Sequence, residues 1–173
     1  FDELVFVKRF TYQSTHYYTD FIDGCEFYGG NLCVLSRRDG AVRELVPELA
    51  GGIFGRFDLS YDARRVVFDW KRDNNSGFRI YEVNIDGTGL RQLTFPPSDE
   101  EARMARFNIQ PPGNLAVDFS GYATGYGHWT DDLHPCYLPD GRIAFVSTRV
   151  EQGVLCGPHT LSVANLHRID ADG

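Results

Sequence analysis

The stretch His128-Trp129-Thr130-Asp131-Asp132-Leu133-His134-Pro135-Cys136 packs two imidazoles, two carboxylates and a thiol into nine residues. Zinc or another borderline transition metal accepts such a ligand set in tetrahedral geometry. On an extended strand, positions two apart share a face, so Asp132, His134 and Cys136 are expected on one side. Cys156 and His159 are candidates to return nearby from a later loop. The candidate metal ligands are therefore His128, Asp132, His134 and Cys136, and zinc is the candidate ion. A structural reading stands beside it: Asp131 and Asp132 cap turns, His134 bonds a backbone carbonyl and Cys136 is packed. The spacing matches no named zinc motif, and both readings stay open.

Other chemistry is thinner. Covalent haem attachment needs Cys-x-x-Cys-His, and Cys156-Gly157-Pro158-His159 lacks the second thiol and the adjacent histidine. There is no Gly-x-Ser-x-Gly elbow, and Gly51-Gly52 runs into a strand without the lysine of a phosphate loop. Thr11-Tyr12-Gln13-Ser14-Thr15-His16-Tyr17-Tyr18-Thr19-Asp20 is dense in aromatic and hydroxyl groups. Such density suits a binding surface or an anchored inter-strand loop. Gly121-Tyr122-Ala123-Thr124-Gly125-Tyr126-Gly127 reads as a recognition loop or a plain insertion. The chain by itself reads as no complete enzyme; as part of one, the chemistry would be an oxidoreductase's.

What must position these residues follows from the rest of the chain. Its 173 residues, 42% hydrophobic and 14% aromatic, are a globular composition. The net charge is −7, and no basic stripe exists to exchange counterions with phosphates, which argues against a nucleic-acid partner. No segment is long and apolar enough to span a membrane. Lys8 and Lys71 are the only lysines against fifteen arginines. That is either codon bias or a set of guanidinium forks pairing with acids between repeats. Cys33, inside Leu32-Cys33-Val34-Leu35, reads as a buried hydrophobe, and a Cys136–Cys156 disulfide is one possibility among the four cysteines.

Eighteen glycines and eight prolines spread along the chain suit short strands and tight turns, and a repeat makes this specific. Ser60-Tyr61-Asp62-Ala63-Arg64 is a polar turn and Val66-Val67-Phe68-Asp69-Trp70 a short apolar strand. Asp73-Asn74-Asn75-Ser76-Gly77 turns the chain. Phe78 to Ile85 then alternates at period two, Asp86-Gly87-Thr88-Gly89 turns again, and Leu90 to Thr94 is a last strand. The pattern returns at Leu138-Pro139-Asp140-Gly141, Ile143 to Arg149 and Asn165 to Gly173. Upstream, Leu4 to Arg9 is an inner strand, and Asn31 to Ser36 with Ala41 to Val46 forms an outer hairpin. The expected fold is all-β: a β-propeller fragment of about three four-stranded antiparallel blades over roughly 1–50, 53–95 and 128–173, the last incomplete. The stretch 96–127 is an insertion in which Ser98-Asp99-Glu100-Glu101 starts a short helix reaching Phe107.

Tyr61-Asp62-Ala63-Arg64-Arg65-Val66-Val67-Phe68 and Leu138-Pro139-Asp140-Gly141-Arg142-Ile143-Ala144-Phe145, the first answered by Ile85-Asp86-Gly87-Thr88-Gly89-Leu90-Arg91-Gln92-Leu93-Thr94 and the second by a truncated copy, resemble the WD40-like blade repeat of TolB-type propellers. Phe6 to Arg9 with His16 to Gly24, Gly51 to Ser60 and Thr130 to Gly141 resemble the propeller, a middle domain, of proteins related to the hydrazine synthase alpha subunit. That resemblance implies a module of a larger exported, periplasmic polypeptide. Its partners would be the other domains of that chain or further proteins, and any haem would be held by another domain. Sharing the domain does not imply sharing the chemistry.

Overall fold

The computed structural model describes residues 1–10, 28–73, 76–102, 129–150 and 164–173. They form three antiparallel sheets. Sheet 1 holds β1 (Glu3–Arg9), β2 (Gly30–Ser36) and β3 (Val42–Glu44) in sequence order. A 3-10 turn, Pro47–Leu49, leads to sheet 2: β4 (Ile53–Leu59), β5 (Arg65–Lys71), β6 (Arg79–Asn84) and β7 (Arg91–Gln92). Sheet 3 holds β8 (Asp132–Tyr137), β9 (Ile143–Ser147) and β10 (Asn165–Ile169). In each sheet consecutive strands are neighbours, the up-and-down order of a propeller blade.

Each central strand shows why the repeat was readable. Phe68 lies opposite Tyr81, and Phe145 holds the same place opposite His167. Phe6, opposite Cys33, is their counterpart in sheet 1. This alignment makes β1 the equivalent of β5 and β9. Among the described residues sheet 1 therefore has no counterpart of β4, and sheet 3 none of β7. Among the described residues only the middle blade shows four strands, whereas the sequence suggests that the last blade alone is short.

The sheets stack face to face. Val66 and Phe68, on one side of β5, join Leu32, Val34, Leu45, Val46 and Phe54 in the core between sheets 1 and 2. Val67, on the other side, joins Ile80, Leu93, Tyr137, Ile143 and Phe145 between sheets 2 and 3. Two covered faces explain why β5 reads as an unbroken apolar run instead of an alternating one. Three antiparallel sheets of three to four strands, each burying its apolar side chains against the next, make the chain a β-propeller fragment.

Its two ends differ. At one, the connections 37–41, 60–64, 85–90 and 138–142 are tight turns. Each is closed by an aspartate accepting the amide two residues on: Asp39 from Ala41, Asp62 from Arg64, Asp86 from Thr88, Asp140 from Arg142. At the other end the strands lead into and out of the connections 10–29, 45–52, 72–78, 93–131 and 148–164. Residues 100–102 are helical there, and the remainder of the expected helix to Phe107 lies outside the described residues.

Candidate functional site

Among the sequence-selected ligands, His128 lies outside the described residues, as do Cys156, His159, Thr11 to Asp20 and Gly121 to Gly127. The other three sit on β8 but not on one face. Asp132 is fully buried and Cys136 is exposed. The parity changes at a β-bulge: Leu133 pairs with Val146 and Cys136 with Ala144, while His134 takes φ +54°. An extra residue in one strand moves everything beyond it to the opposite side, so the period-two expectation fails between Asp132 and Cys136.

The Asp132 carboxylate is occupied. It accepts from Arg149 Nε at 3.0 Å and Nη2 at 2.6 Å, and from Ser147 Oγ at 2.7 Å. Cys136 is an exposed free thiol, and Cys33 is buried as expected. Burial, then the Arg56 charge, holds the His134 imidazole below its ordinary pKa. Among the described residues no group of three His, Cys, Asp or Glu side chains could hold a metal ion.

The polar chemistry instead concentrates in the junction of sheets 2 and 3. Asp69, fully buried at the loop-ward half of β5, accepts the Arg56 amide at 2.7 Å through Oδ1 and the His134 amide at 2.7 Å through Oδ2. Arg56 lies within the register shift of β4 between Phe54 and Phe57, and His134 within that of β8. One carboxylate thus pins the bulges of two adjacent inner strands. A Cβ at Gly55 would collide with that carboxylate, so only glycine admits this approach. Asp58 adds a second tie by accepting the Tyr137 amide at 2.9 Å.

At the loop end, Asp131 accepts the Phe78 amide at 2.8 Å, and Phe78 O in turn accepts the Asp132 amide at 3.0 Å. Arg79 forks onto Glu100 at 3.0 and 3.1 Å and also donates to the Thr130 carbonyl. Glu100 accepts the Thr130 amide at 2.8 Å. The buried Arg79–Glu100 pair therefore fixes both sides of the 93–131 connection to the start of β6. Gly77 is required beside it, since a Cβ there would meet the Thr130 carbonyl.

These acids divide into two kinds. Glu82 is met by Arg65 at 3.2 Å and Arg91 at 2.6 Å, Glu100 by Arg79, Asp132 by Arg149. Among the described residues Asp69 and Asp131 have only backbone amides as hydrogen-bond donors. Burial pushes Asp69 up to about 7, opposed by the two amides and the Arg9 and Arg56 charges. It pushes Asp131 up to about 6, opposed by Lys71, the Phe78 amide and Arg79. The arginine forks serve the acids of sheets 2 and 3 and the 93–131 connection; none joins Asp69 or Asp131. Sequence reading missed Asp69. An aspartate inside the apolar run Val66-Val67-Phe68-Asp69-Trp70 was the available signal, because a buried carboxylate demands a partner.

No known protein family matches the chain, and no curated protein does. Solved structures to which it is similar include a putative TolB from Agrobacterium tumefaciens, at 17% identity and TM-score 0.47, covering 83% of this chain and 38% of that one. Kuenenia stuttgartiensis hydrazine synthase is another, at 13% identity and TM-score 0.43, covering 99% of this chain and 31% of that one. The chain thus spans well under half the length of either structure.

Proposed function

We propose that the chain is a non-catalytic binding and scaffolding module, the propeller part of a larger exported, multidomain protein related to the hydrazine synthase alpha subunit. One observation carries this reading: the two ends of the sheets are built differently. The tight-turn end closes each hairpin on itself and leaves little chain for recognition. The long connections 10–29, 93–131 and 148–164 leave and re-enter the strands at the other end, where the Arg79–Glu100–Thr130 bonds hold the described flanks of 93–131 to sheet 2. Long loops on a rigid β scaffold are the usual place for binding residues. The arrangement of Asp132, Cys136 and His134 favours no metal reading over this one.

The test is cross-linking mass spectrometry on the full-length native polypeptide. Links from other domains or partners to 10–29, 93–131 and 148–164 are expected. Links confined to the turns at 60–64, 85–90 and 138–142, or turnover by this chain alone, would overturn the reading.

A further inference from the structure

We propose that Asp69 couples the bulges of β4 and β8 so that they open and close as one unit, making the bulged part of the junction of sheets 2 and 3 a hinge pinned through one carboxylate. Two register shifts on adjacent inner strands would ordinarily leave one amide each to be satisfied locally. Here both amides, of Arg56 and of His134, converge on one fully buried side chain 65 residues before the second of them in the chain. Releasing either one strips an oxygen of its donor in a dry site, which penalises opening one bulge alone. Among the described residues the junction of sheets 1 and 2 shows no such pin. The β1 position equivalent to Asp69 is Val7, and the bonds described there run from Gly29 to Gly52 and from Gly30 to Ala50 through backbone, and from Asn31 to Val46 and Trp70 to Leu49 through side chains other than a carboxylate. The coupling also has a reach: the β4 bulge carries Arg56, exposed, and the β8 bulge leads to Cys136, exposed. A contact made on one strand would therefore be felt on the next blade.

The charges facing Asp69 are Arg9 from β1 and Arg56 from β4, with the half-buried His134 ring on β8. None of the three side chains is hydrogen-bonded to the carboxylate, so burial prevails and the closed junction prefers the neutral acid, with a midpoint near 7. In an opened junction the acid would titrate near its ordinary value of about 4. Between these two values the closed form holds a proton that the open form has lost. Closure is therefore favoured at the acid side of the window and loses that advantage as pH rises to about 7, with no further change above.

Residue-resolved amide hydrogen exchange on the chain, corrected for the intrinsic pH dependence, reads both properties. The Arg56 and His134 amides should lose protection together, by about tenfold or more between pH 5 and 8, while the Gly30 amide of the other junction stays level. Asp69→Asn, which mimics the neutral acid, should abolish that drop and let the two amides diverge. Independent profiles for Arg56 and His134 in the unsubstituted chain would overturn the coupling, and this comparison needs no variant. A drop retained in Asp69→Asn would overturn the assignment to Asp69.

Discussion

Aspartates are used in opposite ways at the tight turns and at the junction of sheets 2 and 3. Asp39, Asp62, Asp86 and Asp140 sit in water and accept amides within their own turns. For the first three a hydroxyl, and for Asp140 the Arg142 guanidinium, is the largest influence holding the carboxyl below its usual range. Asp69 accepts one amide from the next strand of its own sheet and one from the neighbouring sheet, Asp131 accepts one from the neighbouring sheet, both in places water does not reach, and burial carries them the other way. The bond type is the same in both sets. Solvation decides the sign, because one or two amides offset only part of what desolvating a carboxylate costs. The turn carboxylates organise hairpins locally, and the junction carboxylates join blades.

Breaking the junction should do far more than breaking the turns. The largest loss is expected for Arg79→Met, which strands Glu100 as a buried charge; removing one partner of a buried pair costs about 3–5 kcal/mol, measurable by urea denaturation. Asp69→Leu comes next, leaving the Arg56 and His134 amides without acceptors at about 1–3 kcal/mol each. Its signature is that sheets 2 and 3 lose exchange protection before sheet 1 does. Asp62→Ala and Asp140→Ala should shift the thermal midpoint least, since exposed turn bonds compete with water on nearly equal terms. If the turn substitutions proved as damaging as Asp69→Leu, the contrast between the two regions would be lost.

Acidity sharpens the same contrast. The junction acids, with raised values, bind protons in the fold first, so stability should rise as pH falls from about 7 towards 5, by roughly 1–3 kcal/mol. The turn acids, with lowered values, give their contribution above the ordinary carboxylate range and lose it as pH falls through their lowered values. The stability profile should therefore show a maximum on the acid side of neutrality. Asp69→Asn should flatten its neutral limb and leave the acid limb in place.

Strands and turns were legible because they depend on neighbours in sequence. Val66 to Trp70 falls within β5, Ile143 to Ser147 is β9, and Asp62, Asp86 and Asp140 mark turns by their own chemistry. The outer strand shrank from Leu90–Thr94 to Arg91–Gln92, since Leu93 turns into the core against sheet 3. The bulges were not legible. Pro135 in Leu133-His134-Pro135-Cys136 signals an edge or a bulge without saying which, because the acceptor that fixes the extra residue is Asp69, on another blade. That one non-local bond undid the shared-face reading of Asp132, His134 and Cys136. The same limit hid the partner of Asp132: Arg149 reaches it across the β8–β9 pair.

The central claim is that one residue type is held in two electrostatic states by its position in the fold, and carbon-13 carboxyl NMR titration of aspartate-labelled chain measures it directly. Asp69 and Asp131 should titrate near 7 and 6, and Asp39, Asp62, Asp86 and Asp140 below the ordinary carboxylate value. Six carboxyls titrating together near 4, with no separation between junction and turns, would contradict the account.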